Sequence, residues 1–274
     1  MPVPFEASRL KIWRAEQHTV SLETEIRAYM DRAPAHANIR PGTPVKDAGM
    51  IYHETILTEP IPIHISTVLG DVIHNLRTSL DLLASELVRM NGGTDDDVYF
   101  PFAKDAAQLE DMIKRRHIDR AAPDVIDLVR HFKPYIGGNT DLRGIHDLDI
   151  IDKHQTLITA HGNIRVPVAH TDEKTFPSSG VGFDRFDKSG VERQGKLTSG
   201  YTRADNWPIG EGLPVRFSIT FPQGGPFAAQ DVTTTCQRLV KEFTGVVDAF
   251  ELLSSGTVTK EFPWSSTLNK KGAE

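Results

Sequence analysis

Three side chains in GDVIHNLRTSLDLLASEL, residues 70–87, could do chemistry where a surface helix ordinarily carries Lys and Glu: His74, Arg77 and Asp81. A guanidinium grips phosphate or carboxylate through paired N–H donors. An imidazole moves protons near neutral pH. A second group of the same kind stands in DIIDKH, with Asp149, Asp152, Lys153 and His154. Together these residue types suit chemistry directed at phosphate. Arg77 and Lys153 would hold it, and His74 or His154 would transfer the proton that attack by a 2′-hydroxyl requires.

Helical spacing is what would hold the first group in place. Leu69, Val72, Ile73, Leu76, Leu80, Leu83 and Leu87 form one continuous apolar stripe at about 3.6 residues per turn. His74, Arg77, Thr78, Asp81 and Ser85 fall on a stripe beside it, where side chains are half-buried and need partners. The spacing predicts a helix from about Ile65 to Met90, stopped by Asn91-Gly92-Gly93. The second group needs a second helix, DLRGIHDLDIIDKHQTL, capped by Asn139 or Thr140. On it His146, Asp149 and Lys153 share a face next to Leu142, Ile150 and Leu157. The expectation is that His74, Arg77 and Asp81 meet the 149–154 segment directly or through one water.

Two other readings suit the same residues. In the first, Arg77 and Asp81 form an i,i+4 ion pair and His74 bonds a neighbouring carbonyl, so that the network fixes packing and catalyses nothing. In the second, Asp71-x-x-His74 and His146-x-x-Asp149 present metal ligands inward, although di-iron bundles use Glu where this chain has Asp. Metal dependence and cofactor are left open. Asp95, Asp96 and Asp97 lack the interleaved spacing of a calcium loop and read as a solvated turn. Lys114 to Arg120, KRRHIDR, reads as a solvated helix end. Cys236 sits on an apolar helix face, where a small buried thiol is expected.

The remaining elements form the scaffold. A first helix is expected over residues 8–31, with Leu10, Trp13, Val20, Ile26 and Tyr29 at helical spacing, then a loop through APAHANIRPGTPVKDAG and a short strand at MIYHETILT. Short helices follow near residues 106–117 and 123–132. From about 158 to 221, NIRVPVA, VGFDRF and VRFSITF read as antiparallel strands, with a hairpin loop at residues 187–190. Cys236, Leu239, Val240, Phe243, Val247 and Phe250 then line one face of a last amphipathic helix. The expected fold is α+β, a bundle of five to six helices packed with a small antiparallel sheet. Residues 1–158 would make the mainly helical portion and residues 159–274 the β section with the last helix, in one composite domain.

Composition narrows the classes. The 274 residues carry a net charge of −6 and one cysteine, which excludes an intrachain disulfide framework and argues against broad electrostatic binding of nucleic acid. No run approaches the roughly 20 apolar residues of a membrane span. A cytoplasmic protein without a membrane partner is expected.

IHNLRTSLDLLASEL, then FPF, then IHDLDIIDKHQ together resemble a recurrent, uncharacterised group of actinobacterial and phage proteins bearing H-N-L-R-x-x-L-D and D-x-x-D-K-H, over roughly Ser8 to Ile158. More distantly, the helical half resembles HEPN bundles, many of them ribonucleases that use an arginine followed four to six residues later by a histidine. Here Arg77 follows His74, and the correctly spaced pair, Arg165 with His170, lies in a β-like run. The resemblance implies a phosphate-directed helical protein, a HEPN-like ribonuclease of a phage conflict or defence system, with RNA or another phosphate-bearing ligand. The alternatives are an interaction module that catalyses nothing and a metal-dependent bundle enzyme. Apolar terminal helices on an acidic bundle also point to a homodimer.

Overall fold

The structure is a computed structural model that describes residues 4–32, 35–40, 50–57, 59–154, 161–165, 181–184, 195–203, 216–222 and 224–256. Six helices dominate the described residues: α1 (Glu6–Asp31), α2 (Ile63–Met90), α3 (Leu109–Arg115), α4 (Pro123–Phe132), α5 (Thr140–His154) and α6 (Val232–Ser254). None is long and apolar enough to cross a membrane. The helical bundle expected from the sequence is present. The chain divides into two compact units, Met1–Ala15 with Ile73–Asp147 and Arg238–Glu274, and Glu16–Val72 with Leu148–Gln237.

α2 is the most deeply enclosed helix. Every member of its leucine-rich stripe is buried, and so are Asn75, Arg77, Ser79, Ala84 and Val88 on other faces. Each large aliphatic side chain removed from water there contributes about 1.5–3 kcal/mol. The helix stops as its sequence dictates: Gly92 takes a left-handed φ of 78°, and the Gly93 amide returns to the Val88 carbonyl at 3.0 Å.

α1 packs by a different face from the one its large apolar residues suggest. Phe5, Ser8, Ile12, Ala15, Thr19, Leu22 and Tyr29 are buried, at intervals of three and four residues that continue through half-buried Ile26. Leu10, Trp13 and Val20, expected on the packed stripe, are 56%, 54% and 57% exposed. At Ser8 a neighbouring backbone comes close: its hydroxyl donates to the Ser79 carbonyl at 2.8 Å. Phe5 is wholly buried at the helix start, and its amide donates to Glu86 Oε1 at 2.9 Å.

The short helices hold a surface loop. α3 spans Leu109–Arg115 of the expected 106–117: His117 takes a left-handed φ of 59°, and residues 118–120 form a separate 3-10 turn. The cations of KRRHIDR are not all simply solvated. Arg116 lies over the Tyr99 ring at 5.4 Å, and Arg120 donates to the carbonyls of Thr94 and Asp96 at 3.1 and 3.3 Å, tying down the exposed acidic turn. After α4 the chain turns at Lys133, φ 50°, and a Cβ at Gly138 would stand 2.3 Å from the Lys133 carbonyl oxygen, so only glycine fits. Asn139 then caps α5, its side-chain oxygen accepting the Asp141 and Leu142 amides, each at 3.0 Å.

Outside the helices the backbone is extended in short runs. β1 (Ala35–Arg40) and β2 (Met50–Leu57) pair antiparallel, and β2 pairs with β5 (Gly195–Arg203). β3 (His161–Arg165) pairs with β4 (Val181–Asp184) and with β6 (Arg216–Thr220). β1 falls in a stretch whose Pro, Gly and Ala content reads as loop. Its pairing with β2 supplies the hydrogen bonds that its composition does not advertise. The hairpin loop expected at 187–190 lies outside the described residues.

Asn139→Ala removes the acceptor for two orphan amides of α5. It is expected to lower stability by about 1 kcal/mol, read as a lower denaturant midpoint at an unchanged slope.

Candidate functional site

Arg77 and Asp81 stand one turn apart on α2 and form an ion pair, Nη1 to Oδ1 at 2.6 Å. Arg77 is only 8% exposed. Further contacts come from the segment Val98–Ala103, which carries the Phe100-Pro101-Phe102 sequence, and from α5. The guanidinium carbon lies 4.6 Å from the centre of the Phe102 ring, a cation over an aromatic face. Nε donates to His146 Nδ1 at 3.3 Å. That bond places the imidazole's own proton on Nε2. His146 in turn stacks on Phe102, with ring centres 4.3 Å apart and planes within 6°. Asp81 Oδ1 also accepts the Phe100 amide at 3.0 Å.

α5 grips the same segment a second time. Arg143, paired with Asp147 at 2.5 Å, donates Nη1 to the Ala103 carbonyl at 2.8 Å. The Ala103 amide continues to the Pro134 carbonyl at 3.0 Å. The 98–103 segment is therefore a strap, fixed to α2 through Asp81 and to α5 through His146 and Arg143. Phe100, Pro101 and Phe102 of the strap are all buried.

The electrostatics favour closure over ligand capture. Asp81 beside Arg77 offsets its charge, and the Phe102 ring covers one face of the guanidinium, positions a phosphate would otherwise take. Among the described residues Nη1 has no aligned hydrogen-bond acceptor, and its 2.6 Å approach to Asp81 is an ion pair.

The other sequence-derived residues are placed as follows. His74 is half-buried, with Nε2 3.4 Å from Thr78 Oγ1. Asp149 is buried and Asp152 half-buried. A Cβ at Gly70 would stand 2.8 Å from Asp152 Oδ2, so the carboxylate lies directly on the α2 backbone where a glycine admits it. The side chains of Lys153 and His154 lie outside the described residues, as does His170. Within their unit, Arg77 and Asp81 find partners in His146, Phe100 and Phe102. The expected approach to the 149–154 segment joins residues of different units. Ile150, expected beside the apolar border of α5, is 38% exposed; Leu142, Ile145 and Leu148 form the buried face instead. Among the described residues no three His, Cys, Asp or Glu side chains gather as a metal site.

Sequence reasoning placed His146 on the polar face of α5 and in a candidate metal-ligand pair with Asp149, but not against Arg77, and it missed Phe100, Phe102 and Arg143. The available signal was FPF itself, two aromatics around a proline that fixes an extended backbone. Cys236 is fully buried as expected, and burial pushes its thiol up to about 12.

Arg77→Ala leaves Asp81 without its counter-charge and Phe102 without its cation. A loss of about 2 to 4 kcal/mol is expected in denaturant unfolding, and a change within about 0.5 kcal/mol would show the pair to be weak. Cys236, with its acidity suppressed, is expected to resist thiol reagents at pH 8 in the native protein and to react only after denaturation. Compared with protein-family models, curated proteins and solved structures, the chain matches none of them.

Proposed function

We propose that this chain is an interaction module in which the Arg77–Asp81–His146 cluster is a structural lock and not a catalytic centre. The observation that carries the reading is the state of Arg77: buried, neutralised by Asp81 at 2.6 Å and covered by Phe102. A group meant to bind phosphate keeps donors open toward the ligand. This one has Asp81 against Nη1 and His146 against Nε, both within the fold. In this reading the antiparallel strands, β1-β2-β5 and β4-β3-β6, supply the surface that recognises the partner, as sheet edges do when they add a strand.

One observation favours a second reading, the phosphate-directed, HEPN-like ribonuclease of a phage conflict system. Arg77 and His146 do stand side by side, an arginine with an imidazole at 3.3 Å, although they come from different helices. Lys153 and His154 would then serve as the outer phosphate ligand and proton carrier.

Replacing both members of the pair separates the two. Arg77→Met combined with Asp81→Leu removes the charges together and fills similar volume, so a structural lock should keep its fold and much of its stability, whereas either change alone is costly. Purified protein is expected to leave single-stranded RNA intact with or without added divalent metal. RNA cleavage that falls about 100-fold in His154→Gln would establish the ribonuclease reading in its place.

A further inference from the structure

α1 carries a second seam on its outer side. Glu6, Leu10, Trp13, Gln17, Val20, Thr24 and Arg27 follow one another at intervals of four and three residues, and all are exposed. At about 100° per residue they fall within an arc of roughly 100°, a face as regular as the buried one. Scattered exposed leucines are ordinary on a protein surface. A tryptophan aligned with two aliphatic side chains along a single seam is the composition of an interface, where aromatic residues concentrate.

The seam complements itself when reversed. Turned end over end about a two-fold axis at Gln17, it sets Glu6 opposite Arg27 of a second copy, Trp13 opposite Val20, and Leu10 beside Thr24. Gln17 then meets its own counterpart, and a side-chain amide both donates and accepts. Opposite charges close both ends, and antiparallel helices also oppose their dipoles favourably. Arg27 is itself well exposed and pairs with half-buried Glu23 one turn back at 2.7 Å, a surface pair of little strength.

We propose that this outer face of α1 is the contact face of a two-fold symmetric homodimer, with the two helices antiparallel. One helix face about 32 Å long on each copy is at the small end for a specific interface, so the dimer is weak and concentration-dependent. None of these residues belongs to the Arg77 cluster, and the proposal stands whichever function that cluster serves.

Sedimentation velocity on the full chain over a concentration series tests it. A monomer–dimer equilibrium is expected. Trp13→Glu should weaken it on the order of 30-fold, as loss of a hot-spot aromatic does, with circular dichroism unchanged. Glu6→Arg and Arg27→Glu should each weaken association, and the two combined in one chain should restore it. Gln17→Cys should give a disulfide-linked dimer on mild oxidation, while the parent, whose one cysteine is buried, gives none. A monomer at every concentration, association indifferent to Trp13→Glu, or a double charge exchange no better than the single ones would overturn the proposal.

Discussion

The charge of Arg77 is the constraint around which the 73–147 portion of the bundle is arranged. A buried guanidinium among leucines needs its charge and donors met, and the fold supplies a counter-ion, a polar face and an aromatic lid. Asp81 supplies the first from the next turn, His146 the second from α5, and Phe102 the third from the strap. Each of these groups also fastens a different element. One cation thereby ties α2, α5 and the 98–103 segment to one another, and it selects a single arrangement of the three where leucine packing alone would tolerate several.

Much of this organisation is legible in the sequence, and unevenly so. The leucine stripe of α2, its glycine stop, the Arg77–Asp81 spacing and the Asn139 cap are local signals: each depends on residues within one or two turns, and the structure matches them. Signals carried by residue size mislead. The large side chains of α1 suggest a packed stripe through Leu10, Trp13 and Val20, whereas the buried face runs through Ile12, Leu22 and Tyr29 interleaved with the small Ser8, Ala15 and Thr19. β1 was equally hidden, since its pairing comes from β2 and not from its own composition.

The candidate site was half legible for the same reason. Residue type identified Arg77 and Asp81, because a charged pair at i,i+4 on an apolar border must be used for something. Nothing within a few residues says that FPF returns to cover them, or that His146, some seventy positions on, accepts from the guanidinium. Such partners are set by tertiary packing, which a single sequence encodes only collectively.

The strap's attachments also shape how this part of the molecule moves. The Phe100 amide reaches its acceptor on a carboxylate that simultaneously balances a buried cation, and the Ala103 carbonyl is held by a second arginine. Lifting the strap therefore means uncovering Arg77 and uncoupling α5 in the same event. Segments that lack secondary structure ordinarily exchange their amide hydrogens by small independent openings. This one has no such route, and the Phe100 amide should exchange as slowly as those of the helices beneath it, making an irregular stretch of chain part of the last cooperative unit to open.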